Sequence, residues 1–250
     1  MAGHSPFKNI MHRKKAVDAK RSRAFSKHAR LIMSAVRTGG GDPAMNLSLR
    51  YAIDRSREDN MTNEAIERAI KAALGKADAG ALETLTYEGY GPGGVAILID
   101  ALTDNRARTF GEVRLAVEHN GGSLGAAGSV SWNFERRGLF FVPAAPEKEE
   151  ALLEVAMNAE ADDCSGSEGG FGVTCDPTRF AQVKQALVDG GFQPSKSEIA
   201  WVPKAAVTLT DEQVVALVAL TEALEELDDV QGTATNLEWT DAALAAADKA

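Results

Sequence analysis

Residues 82–122 read LETLTYEGYGPGGVAILIDALTDNRARTFGEVRLAVEHNGG, and they decide the fold class. Stretches 82–89 and 95–102 carry the β-branched and aromatic residues of strands, on either side of a glycine-rich turn. Helical spacing takes over across 109–120 until Gly121 and Gly122 stop it. The run Gly89-Tyr90-Gly91-Pro92-Gly93-Gly94 formally satisfies G-x-G-x-x-G. That dinucleotide fingerprint needs a helix beginning at its glycines, so that free N–H groups meet the pyrophosphate. Here a β-rich run follows and Pro92 removes a donor, so the segment reads as a hairpin tip. Tyr87, Tyr90, Gly91, Pro92, Gly93 and Gly94 then form a candidate contact loop. The tyrosines offer flat faces, and the glycines leave a bare backbone that a partner can approach closely.

Downstream, strands at 138–142, 171–175 and 197–202 alternate with helices at 147–159 and 178–189. This β-α-β-α-β order predicts a ferredoxin-like unit, its antiparallel strands covered on one face by helices. The serine- and glycine-rich run 165–170 reads as a flexible turn. A strand at 206–209, a helix at 211–227 and a strand at 233–239 are too little for a separate domain, and are expected to complete the sheet begun at Leu82. Residues 241–250 are alanine-rich and read as a frayed tail.

Upstream, Val17, Ala24, His28, Leu31 and Ala35, joined by Phe25 and Ile32, give a helical stripe within 13–37. Asp42-Pro43 reads as the cap and first position of a second helix. A third, from Thr62 or Asn63, is expected to bury Ile66, Ala69, Ile70, Ala73 and Leu74, with Gly75 as its C-cap and 76–81 as a linker. The expected architecture is α+β: an N-terminal three-helix bundle (1–79) followed by two α/β domains. The first is discontinuous (80–135 plus 204–240), and the second is ferredoxin-like and inserted in it (136–203).

Charge is distributed unevenly. The whole chain carries 27 basic and 36 acidic side chains, a net charge of -9. Residues 1–37 hold ten of the basic residues and one acid, Asp18. On a helical wheel Lys20, Arg23, Lys27, Arg30 and Arg37 fall within an arc of roughly 100 degrees beside the apolar stripe. Such a block is the footprint of a polyanion partner. The candidate nucleic-acid-binding residues are Lys8, Arg13, Lys14, Lys15, Lys20, Arg21, Arg23, Lys27, Arg30 and Arg37. Phosphate contacts are sequence-independent, so they do not choose between DNA and RNA.

Enzyme chemistry finds little footing. Asp162 with Asp163, Asp228 with Asp229, and His119 show no spacing that argues for a shared site, and read as solvated surface. Cys164 and Cys175 are too few for a disulfide scaffold or a four-ligand zinc site, and the four histidines are scattered. No catalytic residue, metal or cofactor is expected. No apolar run approaches the roughly 20 residues that a bilayer requires, and the N-terminus lacks a secretory h-region. A cytoplasmic protein is expected.

The chain also resembles the YebC family, which includes the mitochondrial translational activator of cytochrome c oxidase. The N-terminal likeness runs through Met1-Ala-Gly-His-Ser5, Asn9-Ile10, His12-Arg13-Lys14, Asp18-Ala19-Lys20-Arg21, Phe25, Gly40-Gly41-Asp42-Pro43, Asn46, Leu49-Arg50, Ala52-Ile53, Asn60-Met61 and Ile66-Glu67-Arg68-Ala69-Ile70. Further along it rests on Tyr87-Glu88-Gly89-Tyr90-Gly91-Pro92-Gly93-Gly94, Thr103-Asp104-Asn105-Arg106, Gly121-Gly122 with Leu124-Gly125, Gly128-Ser129-Val130 and Asp229-Val230-Gln231. Departures fall at Pro6-Phe7, where the family usually has Lys-Trp, at Thr62 for Pro, and at Ala107 for Asn. The resemblance implies a three-domain architecture with one domain inserted in another. It also implies a non-enzymatic role in gene expression, as a DNA-binding transcriptional regulator. The alternative it offers is a ribosome-associated translation factor that binds rRNA or tRNA through the basic N-terminal helix. A protein-interaction module, its acidic domains docking a basic partner, is a further alternative. A monomer or weak dimer is expected, with no membrane and no small-molecule substrate.

Overall fold

The computed structural model describes residues 21–75, 82–167 and 169–249. The expected linker at 76–81 and the arm before residue 21 lie outside them. The described residues divide into two compact units, Trp132–Ala206 and the chain on either side of it.

The described residues open with three helices, α1 (Arg21–Gly39), α2 (Leu47–Glu58) and α3 (Asn63–Gly75). They share a core of Ile32, Val36, Leu49, Ile53, Met61 and Ile66. His28 is buried with them, its Nε2 2.7 Å from Asp59 Oδ2. The second helix is capped by Asn46, and not by Asp42 as the sequence suggested. Asn46 Oδ1 accepts the Leu49 N–H (3.0 Å), while its Nδ2 donates to Ala35 O and Gly40 O, each at 2.8 Å. An aspartate could accept at this place but not donate, so the amide alone can join the end of α1 to the start of α2. Asp42 instead caps a short turn, accepting the Ala44 N–H at 2.9 Å. Leu74, expected to point inward, is exposed.

Next come β1 (Glu83–Tyr90), β2 (Ala96–Thr103), α4 (Arg106–His119) and the two-residue β3 (Ser123–Leu124). Gly93 and Gly94 take φ of 72° and 77° at the β1–β2 connection, a left-handed backbone that a glycine adopts without strain.

The unit Trp132–Ala206 holds β4 (Phe134–Val142), α5 (Glu149–Asn158), β5 (Asp163–Ser167), β6 (Gly170–Cys175), α6 (Phe180–Asp189) and β7 (Lys196–Pro203). Its sheet has the order β5-β6-β4-β7, with every neighbouring pair antiparallel. On one face Phe140 stacks on Phe180, ring centroids 4.7 Å apart. Much of the stretch expected to be a flexible turn is strand β5, at the edge of the described sheet and paired with β6. The two ends of the unit are clasped by Asn133: its Nδ2 donates to Ala205 O (2.8 Å), its Oδ1 accepts the Ala205 N–H (2.9 Å), and its main-chain O accepts the Lys204 N–H (2.7 Å).

The chain then returns with α7 (Asp211–Glu225), β8 (Val230–Thr235) and α8 (Asp241–Ala247). β8 pairs antiparallel with β2, giving the order β3-β1-β2-β8. Ile97 and Ile99 of β2, Val113 and Val117 of α4, and Leu217, Leu220 and Leu224 of α7 form the core of this sheet. Residues 206–209 make a single bridge, Val207 to Leu237, and no strand. The expected frayed tail is helix α8. Thr240 caps it through the Ala243 N–H at 3.1 Å, and Ala243, Ala246 and Ala247 are buried in the same core, because methyl side chains let two helices approach closely.

Candidate functional site

Of the basic residues expected to meet phosphate, Lys8, Arg13, Lys14, Lys15 and Lys20 lie outside the described residues. Arg21 and Arg23 stand in the first turn of α1, and Arg37 is half-buried near its end. The structure takes Lys27 and Arg30 elsewhere. Lys27 Nζ donates to Glu225 O at 2.6 Å, at the carbonyl end of α7 where the helix dipole is negative. Arg30 Nη2 lies 2.6 Å from Asp229 Oδ1, and its Nη1 donates to Asp228 O at 3.5 Å. Both therefore hold the bundle against this chain's own acidic segment.

Asp229 is the centre of that contact. Its side chain is 3% exposed, and Oδ2 accepts from Arg108 Nη2 (2.7 Å), Thr103 Oγ1 (3.1 Å) and Thr109 Oγ1 (2.5 Å). Burial by itself would raise the carboxyl, but the hydrogen bonds from Thr109 and Arg108 and the nearby Arg30 hold it below the usual carboxylate range. The geometry is set by the β2–β8 pairing, in which Leu102 donates to Asp229 O at 2.8 Å. Residues 103–109 and 229, far apart in sequence, thus form one polar socket. Asp228-Asp229 read as solvated surface in the sequence, and the family resemblance included Asp229.

A second anion is held inside the loop after β3. The Glu88 carboxylate accepts main-chain N–H groups from Gly128 (2.7 Å), Val130 (2.8 Å) and Ser131 (2.8 Å). Burial opposes its ionisation, yet these donors bring the carboxyl below its ordinary value. Glu88 wraps residues 125–131 around the edge of β1, and Gly125 also donates to Glu88 O at 2.8 Å.

The contact loop is less free than its glycines suggest. Gly91 is buried, and a Cβ there would lie 3.0 Å from Val95 and 3.2 Å from Leu220, so the tip rests on α7. Gly93 and Gly94 are exposed, and Pro92 is half-buried. Tyr87, expected at the tip, sits within β1 and is half-buried against the sheet core, its ring 6.1 Å from that of Phe110. Tyr90 is exposed and its Oη donates to Ser129 O at 3.2 Å. Phe110, itself exposed, was absent from the sequence-derived candidates because its neighbours read only as helix.

Among the described residues no group of three or more His, Cys, Asp or Glu is placed to hold a metal ion. Burial pushes the Cys175 thiol up to about 12, which leaves it a packed thiol. No described helix is long and apolar enough to cross a membrane.

A helical bundle tied through a buried carboxylate to an antiparallel sheet, with a second sheet built from an intervening stretch of chain, defines a mixed α+β protein. The TACO1/YebC N-terminal domain model matches residues 5–76, and the TACO1/YebC second and third domain model matches residues 82–237. The chain belongs to the TACO1/YebC family. Relatives named "probable transcriptional regulatory protein" include one from Caldanaerobacter subterraneus subsp. tengcongensis, 43% identical over 242 residues, covering 96% of this chain and 100% of that protein. Another, from Carboxydothermus hydrogenoformans, is 44% identical over 244 residues, covering 96% and 100%. The crystal structure of a conserved hypothetical protein from Aquifex aeolicus superposes with a TM-score of 0.78 at 43% identity, covering 89% of this chain and 92% of that one.

Proposed function

We propose that the protein is a non-enzymatic, nucleic-acid-binding regulator of gene expression, acting on DNA in the cytoplasm as a transcriptional regulator. The observation that carries this reading is the segment 1–37, ten basic side chains against one acid, in a chain of net charge -9. The names of its relatives agree with it. Lys27 and Arg30 also bond within this chain, so the residues proposed to contact phosphate first are Lys8, Arg13, Lys14, Lys15, Lys20, Arg21 and Arg23. The unit Trp132–Ala206, with its β-α-β-β-α-β order, is read as a ferredoxin-like insertion. The three-domain division, 1–79, 80–135 with 204–240, and 136–203, follows from that insertion.

The test is binding to duplex DNA as a function of salt. Each phosphate neutralised contributes about -0.9 to the slope of log K against log salt. Charge reversal at Lys20, Arg21 and Arg23 is expected to flatten the slope by about 2 to 3 while leaving the fold intact. An unchanged slope refutes the role of this helix. Sedimentation of a cell lysate at near-physiological salt, with and without ribonuclease, tests the target. Ribonuclease-sensitive co-migration with ribosomes would overturn the DNA reading in favour of translation.

A further inference from the structure

Among the described residues, the outer side of β1 is bordered by a strand at one end only. β3 pairs with Gly89 and Tyr90, Gly125 holds Glu88 O, and no described strand stands opposite Glu83–Tyr87. In antiparallel alternation the outward main-chain groups are those in step with Glu88, namely Thr84 and Thr86. Beside this open edge lies a cavity of about 320 Å³, lined by Leu85, Thr86, Tyr87, Arg106, Phe110 and Leu124 among others. Phe110 is 47% exposed and forms a flat apolar wall. The Arg106 side chain, 70% exposed, stands on the rim with its Nε 3.5 Å from Glu83 Oε2. Tyr87 also lines the cavity, and its buried hydroxyl has no hydrogen-bond partner among the described residues.

We propose that this cavity is a subsite for one unstacked base of a single-stranded nucleic acid. The proposal rests on the nucleic-acid reading given above. The base lies against Phe110, its polar edge meets the main-chain N–H and C=O of Thr86, and the adjoining phosphate meets Arg106. Single-strand binders combine these three parts: an aromatic platform, main-chain donors and acceptors, and a guanidinium. The alternative occupant of an open strand edge is an extended peptide, which needs a run of successive main-chain pairs. Here only Thr84 and Thr86 face outward before Gly125 closes the edge, too short a run for that mode. The volume, at the small end of ligand cavities, admits a base and not a duplex. Glu83 competes with the phosphate for Arg106, which gives the proposal a signed prediction.

The experiment uses the full chain and fluorescein-labelled twelve-residue single strands of mixed sequence, RNA and DNA, with their duplexes, in anisotropy titrations across salt. Phe110→Ala is expected to weaken single-strand binding about 5- to 100-fold with an unchanged salt slope, and Phe110→Trp to preserve it. Glu83→Gln is expected to tighten binding and steepen the slope by up to about 0.7. Loss on the RNA strand, the DNA strand or both supports the subsite and identifies which polymer fills it. Phe110→Ala binding both strands like the wild type overturns the subsite and leaves the nucleic-acid reading standing. Wild-type protein binding neither strands nor duplexes overturns both. Phe110 is exposed enough that its removal leaves the fold intact, which an unchanged melting temperature checks.

Discussion

Arg30→Ala should loosen the bundle from the sheet without touching either core. The Asp229 carboxylate accepts from Arg30 at 2.6 Å, Thr109 at 2.5 Å, Arg108 at 2.7 Å and Thr103 at 3.1 Å, with its own side chain 3% exposed. The Arg30 side chain is 21% exposed, so little solvent screens the pair, whereas the Arg108 side chain is 44% exposed and its share is discounted. A hydrogen bond to a charged group contributes about 1.5–3 kcal/mol. Arg30→Ala leaves Asp229 its other partners, so a loss of about 2 kcal/mol is expected, or roughly 4–8 °C in Tm for a chain of this size. Asp229→Asn removes the anion that faces both guanidiniums, and the loss should reach about 3–5 kcal/mol. In the double variant the two effects should fall short of additivity by at least about 1 kcal/mol. The acid limb supplies a second check. The Asp229 carboxyl is held low in the folded chain, against burial, by Thr109, Arg108 and Arg30. Its contribution is present above the unfolded carboxyl pKa of about 3.9 and is lost as pH falls through the lower folded value. Urea denaturation followed by circular dichroism from pH 7 to pH 3 measures all of this, and Asp229→Asn should flatten the acid limb. An Arg30→Ala variant within about 0.5 kcal/mol of wild type, or strict additivity in the double variant, refutes the assignment.

Two further outcomes follow from particular contacts. Glu88→Gln sets an amide NH2 among three main-chain donors and should cost about 1–3 kcal/mol at pH 7. Because the folded Glu88 carboxyl lies below its ordinary value, against burial and through the N–H groups of Gly128, Val130 and Ser131, the gap to wild type should narrow as pH falls below about 4; urea midpoints that diverge there would refute it. Gly170→Ala places a methyl in collision with the Val142 carbonyl oxygen and 3.0 Å from Pro143 Cα. It should destabilise Trp132–Ala206 by about 1–3 kcal/mol, read as faster amide exchange in β6 with β2 unaffected.

The elements with strong apolar periodicity were legible in the sequence. Ile97, Ile99, Val113, Val117, Leu217, Leu220 and Leu224 announce a strand and two helices by spacing alone, and they form one core. β5 was not legible, because Asp163-Cys-Ser-Gly-Ser167 has no alternation to detect and owes its conformation to a neighbour, β6. Helix α8 was lost for a different reason. Its buried residues are alanines, which carry little hydrophobic signal but allow close packing. Arg30 shows the limit of a helical wheel: the wheel gives the angle of a side chain, and not the object which that angle meets. The object is a carboxylate some 200 residues downstream, put in place by a strand pairing between distant segments. Glu88 is similar, since a loop 40 residues away supplies its donors.

The distance in sequence between β2 and β8 sets an order for completing the first sheet. Roughly 130 residues separate β2 from its partner β8, a delay of about 6–26 s at common rates of peptide synthesis, roughly 5–20 residues per second. Before that interval ends, Trp132–Ala206 has all four of its strands and its Asn133 clasp. The earlier sheet, in contrast, lacks until then the strand that pairs with Ile97–Ala101, and Arg30 lacks the Asp229 carboxylate. Asp229 reaches the site with the last strand of that sheet, so its ion pair with Arg30 forms late, with only helix α8 of the described elements still to follow. A chain stalled or cleaved before Asp229 would lack the carboxylate that Arg30 meets at 2.6 Å, leaving that guanidinium to any polyanion nearby.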